Sequence, residues 1–199
     1  MSRYAMAISL ERCNGCNACV AACKVEHNGP AGILLTVVLE KEVGQYPNAN
    51  RLFYPVLCNH CEEPPCVPVC LTKATYQRED GIVLINWNEC IGCGACIQAC
   101  PYEQRFYNKG EADADGAKYP AGAASCQIPG VARPPAGVPV KCDFCYHRVD
   151  AGGRPACVEA CPTEARIFAR MDEINELIAR KGARTLLPEM GTSPHVFYF

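Results

Sequence analysis

An α+β fold is predicted: two cysteine-bearing modules, one nested in the other, with inserted strands and a long loop. Three observations predict it. Cysteine accounts for 17 of 199 residues, and sixteen of these fall into four tight groups. The groups are separated by short segments with strand and turn chemistry rather than by long helical periodicities. A chain of this length allows one domain or two small ones and buries only a modest core.

So much cysteine invites a disulfide reading, as for a small secreted scaffold. The count is odd, the cysteines stand two or three residues apart within each group, and no secretory signal opens the sequence. Thiols this close along one stretch are poorly placed to bridge each other and well placed to surround one metal centre. With 19 basic and 21 acidic residues the net charge is −2, which gives no strong field for nucleic acid or anionic lipid. The longest apolar run, Gly32 to Leu39, falls far short of a membrane span, so no direct insertion is expected. Residues 1–10 read as a short strand and contain no twin arginine, so the chain is expected to be soluble and to carry no export signal of its own.

Group one is Cys13, Cys16, Cys19 and Cys23; group three is Cys90, Cys93, Cys96 and Cys100, followed by Pro101. Both have the spacing C-x2-C-x2-C-x3-C. Group two, Cys58, Cys61, Cys66 and Cys70, widens the middle gap to four residues. Group four, Cys142, Cys145, Cys157 and Cys161, widens it to eleven and is followed by Pro162. Only Cys126 is left over.

A C-x2-C-x2-C loop wraps three thiolates round one iron–sulfur cube, with backbone N–H groups able to point at the sulfides. The fourth cysteine is expected to start a helix that leads away. Gly15, Gly92 and Gly94 permit the close backbone approach of such wrapping. Zinc also uses C-x2-C pairs, but as two pairs joined by a longer loop, without a third cysteine at the next short gap. Two copies of one spacing and two variants therefore point to four [4Fe–4S] clusters.

Between groups two and three, residues 76–81 form a turn with Asp-Gly and Ile82 to Ile85 form a strand. This is the middle of a bacterial-ferredoxin-like module, so residues 58–107 are read as the inner module. Groups one and four then make the outer module, residues 1–27 with 141–170. In bacterial ferredoxins the fourth thiolate ligates the other cluster of the pair. The expected sets are Cys13, Cys16, Cys19 with Cys161 (first site) and Cys142, Cys145, Cys157 with Cys23 (second site). The inner module would hold Cys90, Cys93, Cys96 with Cys70 (third site) and Cys58, Cys61, Cys66 with Cys100 (fourth site).

Residues 28–57 read as inserted strands, at Leu34 to Leu39 and Arg51 to Val56. Residues 108–140, rich in Gly, Ala and Pro, read as a long surface loop carrying Cys126, a bystander thiol. Residues 171–199 read as a C-terminal helix and tail. Met171 to Lys181 is expected to be an amphipathic helix with Asp172 as N-cap and Ile174, Leu177 and Ile178 on one face. The tail, ending in the apolar run Val196 to Phe199, reads as a strap across another surface. His60 and His147 stand near cluster cysteines and are read as supporting or surface residues, with Trp87 and Tyr102 as packing. No phosphate loop, dinucleotide fingerprint or hydrolytic triad is present, so no catalytic residue is assigned.

The four groups, in this order and with these gaps, resemble the four-cluster electron-transfer (beta) subunits of the molybdopterin oxidoreductases of the dimethyl sulfoxide reductase family. The resemblance runs through Arg3-Tyr-Ala-Met-Ala-Ile8, Pro64-Pro-Cys-Val-Pro-Val-Cys70, Cys145-Tyr-His-Arg148, Pro155-Ala-Cys-Val-Glu-Ala-Cys-Pro162 and Leu187-Pro-Glu-Met-Gly-Thr192. It is most marked to the short beta subunits of polysulfide, thiosulfate and arsenate respiratory reductases. Residues 76–85 are also similar to the small subunit of pyrogallol–phloroglucinol transhydroxylase. Leu71 and Lys24 are a local departure, standing where many relatives and ferredoxins place Pro after the fourth cysteine.

The resemblance implies a non-catalytic subunit that relays electrons between a large molybdenum or tungsten pterin subunit and a membrane anchor or soluble carrier. It implies export on a signal-bearing partner as readily as a cytoplasmic enzyme. A free-standing soluble polyferredoxin is the alternative; the long loop and apolar tail favour a committed subunit.

Overall fold

The computed structural model describes residues 3–30, 32–110 and 132–199. Ala5, Met6, Ala7 and Ile8 have no exposed surface, as befits β1 (Tyr4–Ile8), a strand covered on both faces. A loop then enters α1 (Ala18–Glu26). An antiparallel ribbon follows, β2 (Thr36–Val43) with β3 (Asn50–Leu57), paired from Thr36 opposite Leu57 to Val43 opposite Asn50. Its open end is buried and its turn end exposed.

The inner hairpin is β4 (Thr75–Gln77) against β5 (Val83–Ile85), where the Asp-Gly turn is expected. After α2 (Ala95–Gln98), β6 (Phe106–Tyr107) pairs with β7 (Pro139–Val140). Then come α3 (Tyr146–Asp150), α4 (Ala156–Glu159), β8 (Arg166–Arg170), α5 (Met171–Lys181), β9 (Arg184–Thr185) and β10 (Val196–Tyr198).

The largest sheet has the order β8-β1-β10-β9, with β1 parallel to β10 and antiparallel to β8. Alternation along β1 divides the core. Ala5 and Ala7 join Phe197 and Ile174 of α5 on one face. Met6 and Ile8 join Val196 and Tyr198 on the other, in a cluster that includes Cys19, Cys23, Cys58, Cys142 and Cys157. Short helices and strands in a ferredoxin-like arrangement make the chain α+β.

Four expectations change. The tail is no strap on another surface: β10 is an interior strand of the sheet, and Val196 is wholly buried. Its apolar run is used within the chain and so gives no support to a partner surface. Asp172 is not the N-cap, because β8 runs straight into α5 and Arg170 takes that position without a side-chain cap. The Met171 N–H donates instead to the Arg3 carbonyl at 2.7 Å, and Asp172 and Glu173 lie in the first turn, where the helix dipole favours them.

The segment 108–140 is not all surface loop. Val138 and Val140 are buried, and the Asn108 amide donates to the Pro134 and Pro135 carbonyls at 3.1 and 2.7 Å. Cys126 lies outside the described residues. Lastly, helices do not begin at the fourth cysteines: α1, α2 and α4 already carry Cys19, Cys96 and Cys157.

Candidate iron–sulfur sites

Cys13 and Cys16 sit on the loop between β1 and α1, and Cys19 and Cys23 follow on α1. Four residues apart on a helix, Cys19 and Cys23 share one face, and both are buried. The loop can wrap because Gly15 has φ +73°, and a Cβ there would enter the Phe53 ring of β3. A cavity is lined by Cys13, Cys16, Cys19 and the distant Cys161, with Val38, Pro55 and Arg166.

Group three repeats the construction. Gly92 has φ +70°, and a Cβ there would meet the Gly137 carbonyl beside β7. A second cavity is lined by Cys90, Cys93, Cys96 and Cys70, with Leu71, Ile91 and Pro139. Cys93 is exposed on this rim, as Cys16 is on the first.

Of the other eight cysteines all but the partly buried Cys100 are buried. Burial pushes the Cys61 thiol up to about 12, against a Thr192 hydrogen bond, and neighbouring Cys58, Cys66 and Cys100 push it the same way. Burial likewise drives Cys142 well above the ordinary thiol range, with Cys23, Cys157 and Asp143 adding to it. Cys145 is raised by burial and then Asp143, with Cys157 and Cys23 also facing it. Cys23 is raised by burial, then by Cys157 and Asp143.

Thiols packed this way resist ionisation one at a time, whereas coordination to a metal centre deprotonates them outright. Hydrogen-bond donors already point at the sulfurs. Thr75 N–H donates to Cys70 Sγ at 3.3 Å, and Ala165 N–H to Cys161 Sγ at 3.2 Å. Thr72 and Thr163 hydroxyls stand 3.8 and 3.6 Å from the same two sulfurs. For Cys70 and Cys161 burial acts upward, but these bonds together outweigh it and lower the thiol. Donors to sulfur are the means by which proteins tune cluster potentials, so the residues present fit [4Fe–4S] groups.

His60 is buried, accepts from the Val83 N–H on Nδ1 at 3.0 Å and stacks on Phe144 at 3.8 Å. Burial, then Lys141 and Arg105, hold it well below the usual imidazole range, so it is neutral. His147 bonds Glu26 at 2.8 Å, and Arg148 bonds Glu159 at 2.6 Å and Glu26 at 3.0 Å, which fastens α3 to α1 and α4. Tyr102 bonds the Thr192 hydroxyl at 2.6 Å, and Trp87 packs on the core.

Sequence reasoning missed four residues. His27 brings Nε2 to 3.3 Å from Cys145 Sγ and 3.4 Å from Asp143. Arg105, Lys141 and Arg166 are buried cations at the cysteines. A signal existed for the two arginines: each stands five residues after the last cysteine of its group (105 − 100 and 166 − 161).

Residues 49–118 and 132–171 match the 4Fe-4S dicluster domain family, and residues 10–26 match a 4Fe-4S binding domain. The B subunit of tetrathionate reductase from Salmonella typhimurium is 42% identical, over 98% of this chain and 72% of its own. The arsenate respiratory reductase iron-sulfur subunit of Shewanella sp. is 38% identical, over 98% and 95%. A thiosulfate reductase electron transfer subunit of Salmonella typhi is 39% identical, over 86% and 78%. With its cysteine quartets and these relatives, the chain belongs to the 4Fe-4S dicluster family, among the iron–sulfur electron-transfer subunits of the molybdopterin reductases.

Proposed function

We propose that this chain relays electrons between a molybdopterin catalytic subunit and a membrane anchor or soluble carrier, through four [4Fe–4S] clusters held by crossed ligand sets. The observation that carries the reading is the pair of cavities whose walls join three clustered cysteines to one distant one, Cys161 in one case and Cys70 in the other. The mutual facing of Cys61 with Cys58, Cys66 and Cys100, and of Cys142 with Cys23 and Cys157, supports the other two sets. Residues 58–107 are the inner module and 1–27 with 141–170 the outer.

The bound clusters supply reversible one-electron chemistry. The protein excludes water from the deeper thiolates, aims N–H and hydroxyl groups at Cys70 and Cys161, and leaves Cys16 and Cys93 at the surface. The facing of Cys142 and Cys58 supports the order first, second, fourth, third. The relatives are named as reductase iron-sulfur and electron transfer subunits, which supports a partner that holds the substrate site. Among the described residues no helix is long and apolar enough to cross a membrane.

Iron and sulfide analysis should give about sixteen of each per chain. Cys161→Ser should disturb the cluster of the first group; a change confined to the second-site cluster overturns the crossing. Native gel filtration should find the chain with a large molybdenum or tungsten protein. A stable, active monomer would support the polyferredoxin instead.

A further inference from the structure

We propose that Arg166, Lys141 and Arg105 are potential-setting residues, one buried cation at each of the three junctions between successive cluster sites. The inference rests on the ligand sets proposed above. Arg105 and Arg166 are each 3% exposed and Lys141 is 6% exposed. Among the described residues, no carboxylate pairs with any of them.

Arg105 donates from Nη2 to Cys66 Sγ at 2.9 Å and from Nη1 to the Thr75 hydroxyl at 3.3 Å. It also faces Cys58 and Cys96, so it stands between the fourth and third sites. Arg166 repeats this in the outer module, donating from Nη2 to the Thr36 hydroxyl at 2.9 Å. It is within hydrogen-bonding reach of Cys157 and faces Cys19 and Cys142, between the first and second sites. Lys141 donates to the Cys142 carbonyl at 2.7 Å and to the Val83 carbonyl of β5, and it faces Cys66. That is the boundary between second and fourth sites, where Cys142 faces Cys58.

A buried cation without an anion beside it is strongly unfavourable. Here the anion is the thiolate-ligated cluster itself, which becomes more negative on reduction. A fixed positive charge in a low-dielectric interior favours the reduced form, and between two sites it acts on both. Arginine suits the two junctions inside modules, because its fork can hold a threonine and a sulfur together. The three charges thus favour the electron at every step of the series.

The test is a redox titration of the assembled protein, followed by electron paramagnetic resonance. Wild-type signals are first assigned with one Cys→Ser variant per site, so an error in the ligand sets appears before any cation is changed. Arg105→Gln should lower the midpoints of the third and fourth sites by at least tenfold in equilibrium, 59 mV for one electron. The first and second sites should not move. Arg166→Gln should do the converse, and Lys141→Met should lower the second and fourth. Arg105→Lys, which keeps the charge, should restore most of the shift. Unchanged midpoints with full iron, or all four moving together, would overturn the proposal. So would loss of clusters in all three charge-removing variants, which would make the cations structural; if only one fails to load, the other two decide.

Discussion

The imidazole Nε2 of His27, at the end of α1, lies 3.3 Å from the Sγ of Cys145 at the start of α3. Asp143 stands 3.4 Å from the same nitrogen, so an N–H there would donate to a carboxylate and, once Cys145 is a ligand, to its sulfur.

Removing that donor should make the second site harder to reduce. His27→Leu is expected to lower one midpoint by roughly 50 mV, the net worth of about one ordinary hydrogen bond for a one-electron couple. Iron content should be unchanged, and the signal affected should be the one altered by Cys145→Ser.

Two neighbouring glycines should respond differently to the same change. Gly92→Ala drives a Cβ into the Gly137 carbonyl, a backbone atom that cannot turn aside. It should cost the third site, leaving about twelve irons of about sixteen. At Gly94, which has φ +76° but no atom within 4 Å, alanine meets only backbone strain of ~1–2 kcal/mol. That variant should keep its iron.

The tail can be tested as part of the sheet. Phe197→Ala empties a site shared with Ala5, Ala7 and Ile174, and should cost ~3–5 kcal/mol by denaturant unfolding. A strap serving only a partner would leave this stability intact and weaken association instead.

Arg78 of the turn after β4 grips Asp150 of α3 through two bonds, at 2.9 and 2.6 Å, and so ties the β4–β5 hairpin to α3. The Arg78 hydrogen bonds hold the Asp150 carboxyl below its ordinary range. A carboxyl lowered on folding contributes stability above its unfolded value and loses it only as the pH falls through the folded one. Between about pH 5.5 and about pH 8 the contribution is therefore constant. Asp150→Asn should cost ~0.2–1 kcal/mol, since the pair is half exposed, and the difference from wild type should be flat across that range. Thermal loss of cluster absorbance measures both.

The iron–sulfur character was legible because thiol spacing is a local code: in three of the four groups three cysteines come from one short loop. The β1 strand and the β4–β5 turn were legible for the same reason, a pattern complete within a few residues. β10 was not, because a parallel pairing of Met6 with Val196 leaves no trace in either segment alone. Asp172 suited a cap by residue type, but β8 ran on into α5 and satisfied the helix end through Arg3. Arg105, Lys141 and Arg166 were hidden by their chemistry. Charged side chains read as surface until their neighbours are known, and here the neighbours are sulfurs.

The wall of the cavity around Cys13, Cys16 and Cys19 is closed by Cys161, whereas the one around Cys90, Cys93 and Cys96 is closed by Cys70, already upstream. A ribosome that has delivered residue 96 has therefore delivered all four cysteines of the second cavity, while the first waits for the chain to return with Cys161. Metallocentre assembly would then begin at the cavity around Cys90, Cys93 and Cys96, before the one around Cys13, Cys16 and Cys19 has its fourth cysteine. The vector of synthesis and the vector of electron flow need not coincide.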